Sequence, residues 1–375
     1  MPPTVESVTA ALAGVNDPEI HKPITELGMV KLVEVGAGGA VQVTVSLTVA
    51  GCPMRERITS DVTAAVSAVP GVATVNVTLD VMSDEQRGQL RTNLRGGQTA
   101  REIPFAQPGS LTRVYAIASG KGGVGKSSVT VNLAVAMARD GLSVGVVDAD
   151  IYGHSVPRML GIDSRPTMVD RMILPPEAHG VRVISIGMFI EGNSPIAWRG
   201  PMLHRALEQF LSDVYWGDLD VLLLDLPPGT GDIAISVAQL VPTAEIVVVT
   251  TPQLAAREVA ERAGAISTQT CQQIAGVVEN MAGLACPHCA RHVDVFGSGG
   301  GAEVAAALGR ISGTSVPLLG SIPIDIRLRE GGDTGRPIVL DAPDAPASLA
   351  LVAIADRLSH RALGLVGRPL GLTPA

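Results

Sequence analysis

Runs of apolar residues alternate with helical segments through most of the chain. Strand-like apolar runs occur at residues 114–119, 143–148, 181–186, 221–225, 246–250, 274–279 and 317–319. Strands that are hydrophobic on both faces are typical of parallel sheets covered by helices, and the alternation with helices predicts such a sheet. We therefore expect an α/β domain over residues 111–375, with its site beyond the carboxyl ends of the strands.

The first part of the chain has a different pattern. Predicted helices and strands alternate there, at residues 5–12, 41–47, 54–69 and 72–79. The first of these strands alternates apolar and polar residues, which indicates a half-exposed sheet. We therefore predict a small α+β domain over residues 1–82. A linker over residues 83–110 should follow, because its Arg, Gln, Gly and Pro content shows little periodicity.

Composition narrows the classes of function. The chain has 375 residues, of which 46% are hydrophobic and 2% aromatic, and its formal net charge is -8. An acidic chain with few aromatic rings is a poor binder of nucleic acid or anionic membranes. The N-terminus shows no basic and apolar signal, and no apolar run is long enough to span a bilayer. We therefore expect a cytoplasmic protein with no nucleic-acid or membrane partner.

A glycine-rich loop between a predicted strand and a predicted helix indicates nucleotide binding. It fits the pattern G-x-x-x-x-G-K-[ST] and consists of Gly120, Lys121, Gly122, Gly123, Val124, Gly125, Lys126 and Ser127. Glycines let the backbone curl so that its N–H groups point at phosphate, and the helix N-terminus adds its positive end. We expect Lys126 to reach the β- and γ-phosphates and the Ser127 hydroxyl to bind Mg²⁺.

Aspartates end two of the apolar runs, at the edge where the phosphates would lie. A carboxylate at the end of a buried strand is costly unless it meets a cation, and Mg²⁺ is such a cation. We assign Asp225 to the Mg²⁺ side of the site. We assign Asp150 to orienting the attacking water or sensing the γ-phosphate. For Asp148 and Asp232, capping of the following turn or helix is an alternative of similar weight.

Two further features follow strands on the same edge. Gly229 and Gly231 surround Thr230 in a loop that could move when the γ-phosphate leaves. Asn280 ends a later strand, and its amide offers both a donor and an acceptor to a nucleotide base. Asn is also a common turn former, which is the alternative for Asn280.

Cys286 and Cys289 form a C-x-x-C pair just after the strand that ends at Asn280. In a reducing cytoplasm, cysteines are expected to be thiols or metal ligands, and this spacing lets two sulfurs face one ion. A zinc or iron–sulfur site normally needs four protein ligands, so the pair by itself is incomplete.

Several completions of the pair are open. His288 or His292 would make a zinc site within the chain. Cys271 or Cys52 could be recruited instead. Alternatively, two chains share one cluster across a twofold axis, each giving its C-x-x-C pair. A thioredoxin-like redox pair is the remaining alternative, although the motif does not open a helix after a first strand.

Several segments of the chain occur together in one known family. In the large domain they are the loop with its second lysine, Lys121, and residues 148–153, 198–201, 225–232, 279–281 and 286–289. These segments resemble the Mrp/ApbC family of iron–sulfur cluster carrier ATPases, which belongs to the deviant Walker A class with MinD, ParA and the nitrogenase iron protein. In the small domain, residues 17–19, 24–30 and 51–54 resemble the metal–sulfur cluster assembly domain that often precedes these ATPases.

The resemblance implies an ATP-binding and ATP-hydrolysing homodimer that carries a [4Fe–4S] cluster between its subunits and transfers it to recipient apo-proteins. It implies that Cys286 and Cys289 of each chain hold the cluster. It also implies that Lys121 contacts phosphate, often that of the partner chain, and that Asp150 and Asp225 lie in two nucleotide-responsive switches. The predicted catalytic residues are therefore Lys121, Lys126, Asp150 and Asp225.

Departures from the family pattern are small. Ser128 stands where threonine is common and keeps the hydroxyl, so it is counted in the predicted nucleotide site. His154 stands where proline usually follows Tyr-Gly, which could alter that switch loop. Arg199 could reach a phosphate or the partner chain, with a salt bridge as the alternative. Cys52 matches a cysteine often implicated in function, with a buried small apolar residue as the alternative.

Two other classes of function are alternatives. A positioning ATPase like MinD or ParA would need a basic amphipathic C-terminal helix or a basic surface. The tail over residues 360–375 instead contains helix-breaking glycines and prolines. A zinc-stapled scaffold ATPase would be colourless and contain zinc, whereas an iron–sulfur carrier purified without air would be brown.

Overall fold

A computed structural model of the chain describes residues 2–49, 54–94, 102–107, 109–150, 153–190, 200–229, 232–253, 267, 270, 272–286, 288–289 and 291–360. Five of the residues discussed above, Cys52, Arg199, Thr230, Gly231 and Cys271, lie outside the described residues. The chain divides into two compact units. The first contains Met1–Arg101, Pro166–Pro175 and Asp213–Gly217, and the second contains Glu102–Arg165, Pro176–Ser212 and Asp218–Ala375.

The helices and strands follow one another along the chain in a regular α/β order after a short α+β start. The start contains α1 (Val5–Leu12), β1 (Val30–Val35), β2 (Ala40–Leu47), α2 (Arg55–Ser67), β3 (Thr74–Val81) and α3 (Asp84–Leu94). The remainder contains β4 (Arg113–Ala118), α4 (Lys126–Arg139), β5 (Val144–Asp148), α5 (Val156–Met159), β6 (Thr167–Val169), β7 (Met172–Leu174), β8 (Glu177–Ala178), β9 (Val181–Ser185), α6 (Gly200–Ser212), β10 (Val221–Asp225), α7 (Asp232–Leu240), β11 (Glu245–Thr250), β12 (Ile274–Asn280), β13 (Leu284–Ala285), β14 (His292–Val293), α8 (Gly300–Ser312), β15 (Leu318–Ile322), α9 (Ile326–Thr334), α10 (Ile338–Asp341) and α11 (Pro346–Ser359).

The sheet of the first unit has the order β1-β2-β3, with β1 antiparallel and β3 parallel to β2. Val41, Val43 and Val45 of β2 are buried on one face, while Ala40 and Gln42, which alternate with them, are exposed. Successive residues of a strand point to opposite faces, so this alternation confirms the predicted half-exposed sheet.

The linker predicted over residues 83–110 is wrong for its first half. Residues Asp84–Leu94 form helix α3, and Leu90 on that helix is buried in the same core as α1, α2 and the sheet. Leu94 of the same helix also packs against that core. A helix with only two apolar residues among polar ones shows little hydrophobic periodicity, which is why the sequence did not indicate it. The first unit therefore extends to Arg101.

A hairpin from the middle of the chain also belongs to the first unit. Strands β6 and β7 pair antiparallel, and Val169, Met172 and Leu174 are buried in the core of that unit. Within the unit, Arg91 of α3 forms an ion pair with Asp170 at the turn of the hairpin. The predicted domain over residues 111–375 is therefore interrupted by residues that complete the N-terminal core.

The second unit contains an eight-stranded sheet in the order β15-β12-β11-β4-β10-β5-β9-β8. All neighbouring strands are parallel except β8, which runs antiparallel to β9 at the edge. Strands β5, β10 and β12 are buried along their whole length because Val, Leu and Ile cover both faces. The predicted α/β class and parallel sheet are confirmed, and the carboxyl ends of β4, β5, β10 and β12 share one edge.

Candidate functional site

The glycine-rich loop joins the end of β4 to the start of α4, as predicted. Gly123 and Gly125 have φ values of 79° and 80°, a left-handed conformation that glycine adopts without steric cost. Helix α4 begins at Lys126, directly after Gly125. The first N–H groups of a helix have no partner within it, so the loop ends in a group of backbone donors suited to an anion.

Asp225 is bound from three sides at the carboxyl end of β10. Its Oδ1 atom lies 2.7 Å from the Nζ atom of Lys126 and accepts a hydrogen bond from the Thr130 hydroxyl at 2.8 Å. The Ser127 hydroxyl donates to Oδ2 at 2.6 Å. The buried carboxylate is therefore fully compensated by one cation and two hydroxyl groups. This places the predicted Mg²⁺-side aspartate next to the predicted Mg²⁺ hydroxyl ligand.

Asp148 ends the neighbouring strand β5 and is completely buried. Its Oδ1 accepts the N–H of Asp150 at 3.2 Å, and its Oδ2 accepts the Ser185 hydroxyl at 3.0 Å and the N–H of Val156 at 3.4 Å. Burial, with the nearby charge of Asp225, raises the pKa of Asp148 to about 7. These bonds support the capping interpretation of Asp148, because two of its donors are backbone groups of the turn and helix that follow.

Asp150 lies just after β5 and is also buried. Its Oδ1 atom accepts a hydrogen bond from the N–H of Gly153 at 3.1 Å, so the carboxylate closes its own turn. A Cβ atom at Gly153 would lie 3.0 Å from Oδ2, which shows how tightly the turn wraps the carboxylate. The predicted role of Asp150 toward water or the γ-phosphate stays a prediction.

Asn280 contacts the phosphate-binding loop directly. Its Nδ2 atom donates to the carbonyl oxygen of Val124 at 2.9 Å, and a Cβ atom at Gly125 would lie 2.3 Å from the same nitrogen. The side chain is buried. Asn280 therefore fixes the loop from the end of β12, which is separated from β4 by β11, and the sequence did not suggest this contact. Its predicted contact with a nucleotide base stays a prediction.

Lys121, the second lysine of the loop, has a partner within the chain. Its Nζ atom donates to Oε1 of Gln253 at 2.6 Å, just beyond the end of β11. Gly122 and Gly123 beside it are exposed. Ser128 lies in the first turn of α4, where its carbonyl oxygen accepts a hydrogen bond from the Asn132 side chain at 2.8 Å.

Cys286 and Cys289 lie at the end of a short hairpin. Strands β13 and β14 pair antiparallel, and the N–H of Cys286 donates to the carbonyl of Arg291 at 2.9 Å. The backbone N–H groups of His288 and Cys289 donate to the Cys286 sulfur and, together with the Cys289 thiol, lower the pKa of Cys286 below its usual value. Cys286 is partly exposed and Cys289 is exposed, so the hairpin presents a ready sulfur ligand at the surface.

A metal site made by one chain is not formed among the described residues. Within that part of the chain, no three His, Cys, Asp or Glu side chains converge on one point. His292, one of the predicted alternatives, instead lies 2.9 Å from Asp294 and packs over Gly283. Cys52 and Cys271 lie outside the described residues, so their recruitment is not tested.

Thr130 and Gln253 are site residues that sequence reasoning missed. Thr130 had a detectable signal, because it follows Ser127 at a helical spacing that places both hydroxyls on one face. Gln253 had none, since its contact with Lys121 depends on how the loops after β4 and β11 meet.

Comparisons with known proteins identify the family. A model described as NUBPL iron-transfer P-loop NTPase matches residues 110–359, and one described as iron-sulfur cluster assembly protein matches residues 6–78. The chain belongs to the iron-transfer P-loop NTPase family. The family predicted from the sequence motifs is therefore confirmed, with the small domain that precedes the NTPase.

Named relatives cover nearly the whole chain. The iron-sulfur cluster carrier protein of Mycobacterium leprae is 64% identical over 369 residues, which are 98% of this chain and 96% of the relative. That of Synechocystis is 41% identical over 365 residues, 96% of this chain and 98% of the relative. A solved structure of a nucleotide-binding protein from Archaeoglobus fulgidus, in complex with ADP, is 33% identical with a TM-score of 0.54, and covers 64% of this chain and 96% of its own.

The helices give no indication of a membrane span. Among the residues that the structure describes, none of the helices is both long and apolar enough to cross a bilayer.

Proposed function

We propose that this chain is an ATP-binding and ATP-hydrolysing iron–sulfur carrier, which holds a [4Fe–4S] cluster between two copies of itself and passes it to recipient apo-proteins. The observation that carries the proposal concerns β12. This strand ends at Asn280, which contacts the phosphate-binding loop, and leads directly into the hairpin with Cys286 and Cys289. The names of the relatives, iron-sulfur cluster carrier proteins, support the cargo.

The loop at residues 120–127 would bind the phosphates of ATP. Lys126 would exchange its contact with Asp225 for the β- and γ-phosphate oxygens, as the lysine of this motif does. The Archaeoglobus relative, solved in complex with ADP, supports nucleotide binding. Lys121 would leave Gln253 for phosphate, and Asp150 would orient the attacking water.

Ser127 and Asp225 would hold Mg²⁺. Their oxygens lie 2.6 Å apart, and a serine hydroxyl with a strand-end aspartate is the donor pair that Mg²⁺ uses in P-loop proteins. When bound there, Mg²⁺ would neutralise charge that develops on the phosphates. Thr130 keeps a hydrogen bond to the other oxygen of Asp225, which orients the carboxylate toward Ser127.

The cysteine pair would bind half of the cluster. Thiolates are soft ligands that select iron–sulfur clusters or zinc, and a [4Fe–4S] cluster is usually held by four of them. One hairpin offers two sulfurs, and among the described residues there is no third metal-binding side chain beside them. A second copy related by a twofold axis would supply the other two, which makes the homodimer part of the proposal.

Nucleotide would control the cluster through β12. Phosphate binding at the loop would move Val124, whose carbonyl holds Asn280, and the hairpin starts immediately after Asn280. The backbone at Met281 has a φ of 62°, an uncommon left-handed conformation for a side chain other than glycine. A strained residue between the loop contact and the hairpin is a suitable place for the two to influence each other.

Anaerobic reconstitution tests the cargo. Wild-type protein treated with iron and sulfide under argon should turn brown and gain one four-iron cluster for two chains, while Cys286→Ala should stay colourless and monomeric. His292→Ala is the matched control, and it should bind the cluster normally because His292 already pairs with Asp294. Colourless wild-type protein that contains zinc and runs as a monomer would refute the carrier.

Cluster transfer tests the control by nucleotide. ATP with Mg²⁺ should change the rate at which the loaded protein restores an apo-ferredoxin, and Lys126→Ala should abolish that change. Equal transfer rates with and without ATP, in wild type and variant alike, would show that the nucleotide site and the cluster act independently.

A further inference from the structure

Glu279 is a buried carboxylate with no part in the function proposed so far. It occupies the last position of β12 before Asn280, and its residue is 6% exposed. Its Oε1 atom accepts the N–H of Gly301 at 2.8 Å, and its Oε2 atom accepts the Ser321 hydroxyl at 2.8 Å. Both oxygens therefore have partners within the chain, one at the start of α8 and the other in the neighbouring strand β15.

Gly301 lies in the first turn of helix α8. The first N–H groups of a helix have no intrahelical partner, and the positive end of the helix favours a carboxylate. Gly299, the residue at the cap position, has a φ of 83° and makes no side-chain cap hydrogen bond. Glu279 supplies the missing acceptor from the strand, so it ties the start of α8 to the end of β12.

Close packing accompanies this hydrogen bond. A Cβ atom at Gly301 would lie 2.7 Å from the Cβ of Glu279, and one at Gly300 would lie 2.6 Å from the carbonyl oxygen of Pro252. Neither distance is possible for a side chain, so two glycines are needed for the helix to approach β12 and the end of β11. The start of α8 is thus fixed against two strands of the sheet.

The segment from Asn280 to Gly301 leaves the sheet and returns to it, with the cysteine hairpin at its far end. On the outward path, the N–H of Ala282 donates to Ile322 at 2.9 Å and the carbonyl of Gly283 accepts from Ile324 at 2.8 Å. On the return path, the N–H of Gly301 donates to Glu279. The two ends of the segment therefore meet at Glu279.

We infer that Glu279 is a positioning residue for the cysteine pair: by holding the return path against β12, it fixes the direction in which the hairpin presents Cys286 and Cys289. The inference rests on the proposed function, because two copies can share one cluster only if both hairpins are held in a defined orientation. Asn280 points to the opposite face of the strand, toward the phosphate-binding loop. Asn280 thus holds the phosphate-binding loop, while Glu279, the residue before it, holds the segment that carries the cysteine hairpin.

Hydrogen exchange in the metal-free protein tests the hydrogen bond between Glu279 and Gly301. Glu279→Ala should raise the amide exchange of residues 281–301 by about tenfold or more, because the hydrogen bond to a charged acceptor that closes the segment is lost. Glu279→Gln should have a smaller effect, since its amide oxygen can still accept from Gly301. Glu303→Gln is the matched control for Glu279→Gln. Glu303 is exposed in the first turn of the same helix, and its substitution removes one negative charge as Glu279→Gln does.

Cysteine reactivity and iron uptake test the consequence. Glu279→Ala should change the iodoacetamide alkylation rates of Cys286 and Cys289 in metal-free protein and reduce iron bound after reconstitution, while ADP affinity stays within about twofold because the loop contact of Asn280 remains. If Glu279→Ala does not fold, Ser321→Ala and Glu279→Gln should show the same effects in weaker form.

The outcomes separate the two proposals. Unchanged exchange and alkylation in the Glu279 variants would overturn the positioning role, and so would a loss of ADP affinity as large as the loss of iron. Wild-type protein that takes up no iron would overturn the carrier proposal, on which the positioning role depends.

Discussion

The ammonium group of Lys126 lies 2.7 Å from the carboxylate of Asp225, and their side chains are 5% and 1% exposed. Lys126 belongs to the phosphate-binding loop and Asp225 to the strand beside it, so the pair links the two halves of the nucleotide site. The cost of burying each charge of an ion pair is offset by the attraction of its partner, so it is offset only while both partners remain. Loss of either partner would therefore destabilise the protein, and in the nucleotide site proposed above phosphate would compete with Asp225 for Lys126.

Lys126→Ala should destabilise the protein as well as remove nucleotide binding. We expect a loss of about 3–5 kcal/mol in the free energy of unfolding, because Asp225 is left as a buried charge without its cation. Lys121→Ala is the matched control from the same loop, since Lys121 contacts Gln253 at an exposed position, and it should cost less than about 0.5 kcal/mol. Urea unfolding checks both, and equal losses would contradict the special position of Lys126.

Gly125→Ala should be more harmful than Gly123→Ala. Both glycines have left-handed backbones, so each substitution costs about 1–2 kcal/mol of conformational strain. At Gly123 a Cβ atom would meet nothing within 4 Å, whereas at Gly125 it would lie 2.3 Å from Nδ2 of Asn280. Urea unfolding and ADP titration should rank wild type above Gly123→Ala, and Gly123→Ala above Gly125→Ala.

A double substitution isolates the effect of the steric clash between a Cβ atom at residue 125 and Asn280. Asn280→Ala removes the nitrogen that the new methyl group would strike, so it should recover part of the stability lost in Gly125→Ala and none of that lost in Gly123→Ala. Additive effects in both backgrounds would mean that the loop moves away from Asn280 freely.

The stability of the protein should depend on the ionisation of Asp148. Burial raises the pKa of Asp148 to about 7 from an ordinary value of 3.8, so the native state holds a proton that the unfolded chain releases. The contribution of Asp148 to the free energy of unfolding is therefore fully present below about pH 4 and is lost as the pH rises toward about 7. Asp148→Asn cannot ionise, and its free energy of unfolding relative to wild type should rise by up to roughly 1.4 kcal/mol for each pH unit in that window.

Urea unfolding at several pH values checks this dependence. Asp218→Asn, at an exposed position, is the control and should follow the wild-type profile. A constant difference between Asp148→Asn and wild type from about pH 4 to about pH 8 would show that Asp148 titrates like an ordinary carboxyl group.

The hairpin of β6 and β7 should contribute to the stability of the N-terminal unit. Met172 is 2% exposed in the core of that unit, whereas Met168 on the same hairpin is 46% exposed. Met172→Ala should cost about 2–5 kcal/mol through the cavity it leaves, and Met168→Ala less than about 0.5 kcal/mol. Limited proteolysis should show earlier cleavage within residues 1–101 for Met172→Ala alone, and equal behaviour of the two variants would contradict the assignment.

The large sheet and the loop were predictable because each rests on a local pattern. Strand β10 is bounded as its apolar run predicts, and the glycines and Lys126 follow a spacing that phosphate binding requires. Asp225 and Ser127 contact each other because the phosphate-binding loop and the end of β10 lie at one edge of the parallel sheet, and their Mg²⁺ role stays a prediction.

The remaining elements depend on distant parts of the chain. Strand β1 escaped prediction because it is an edge strand with exposed Lys31 and Leu32, so its pattern is irregular. The strands β6 and β7 are too short to show a period of two, and their burial depends on a core made by residues far away in sequence. The contact of Asn280 with Val124 likewise appears only when strand and loop are side by side.

The side chains of β12 must keep their register, because the strand presents different groups on its two faces. Deleting a single residue from its interior would rotate every following side chain to the other side, so that the acid now bound to Gly301 would face the phosphates and the amide would face the helix start. A negative charge beside bound ATP would repel it. Insertions and deletions during the divergence of this family should therefore lie beyond Asn280 and be absent from the seven residues of β12, Ile274–Asn280.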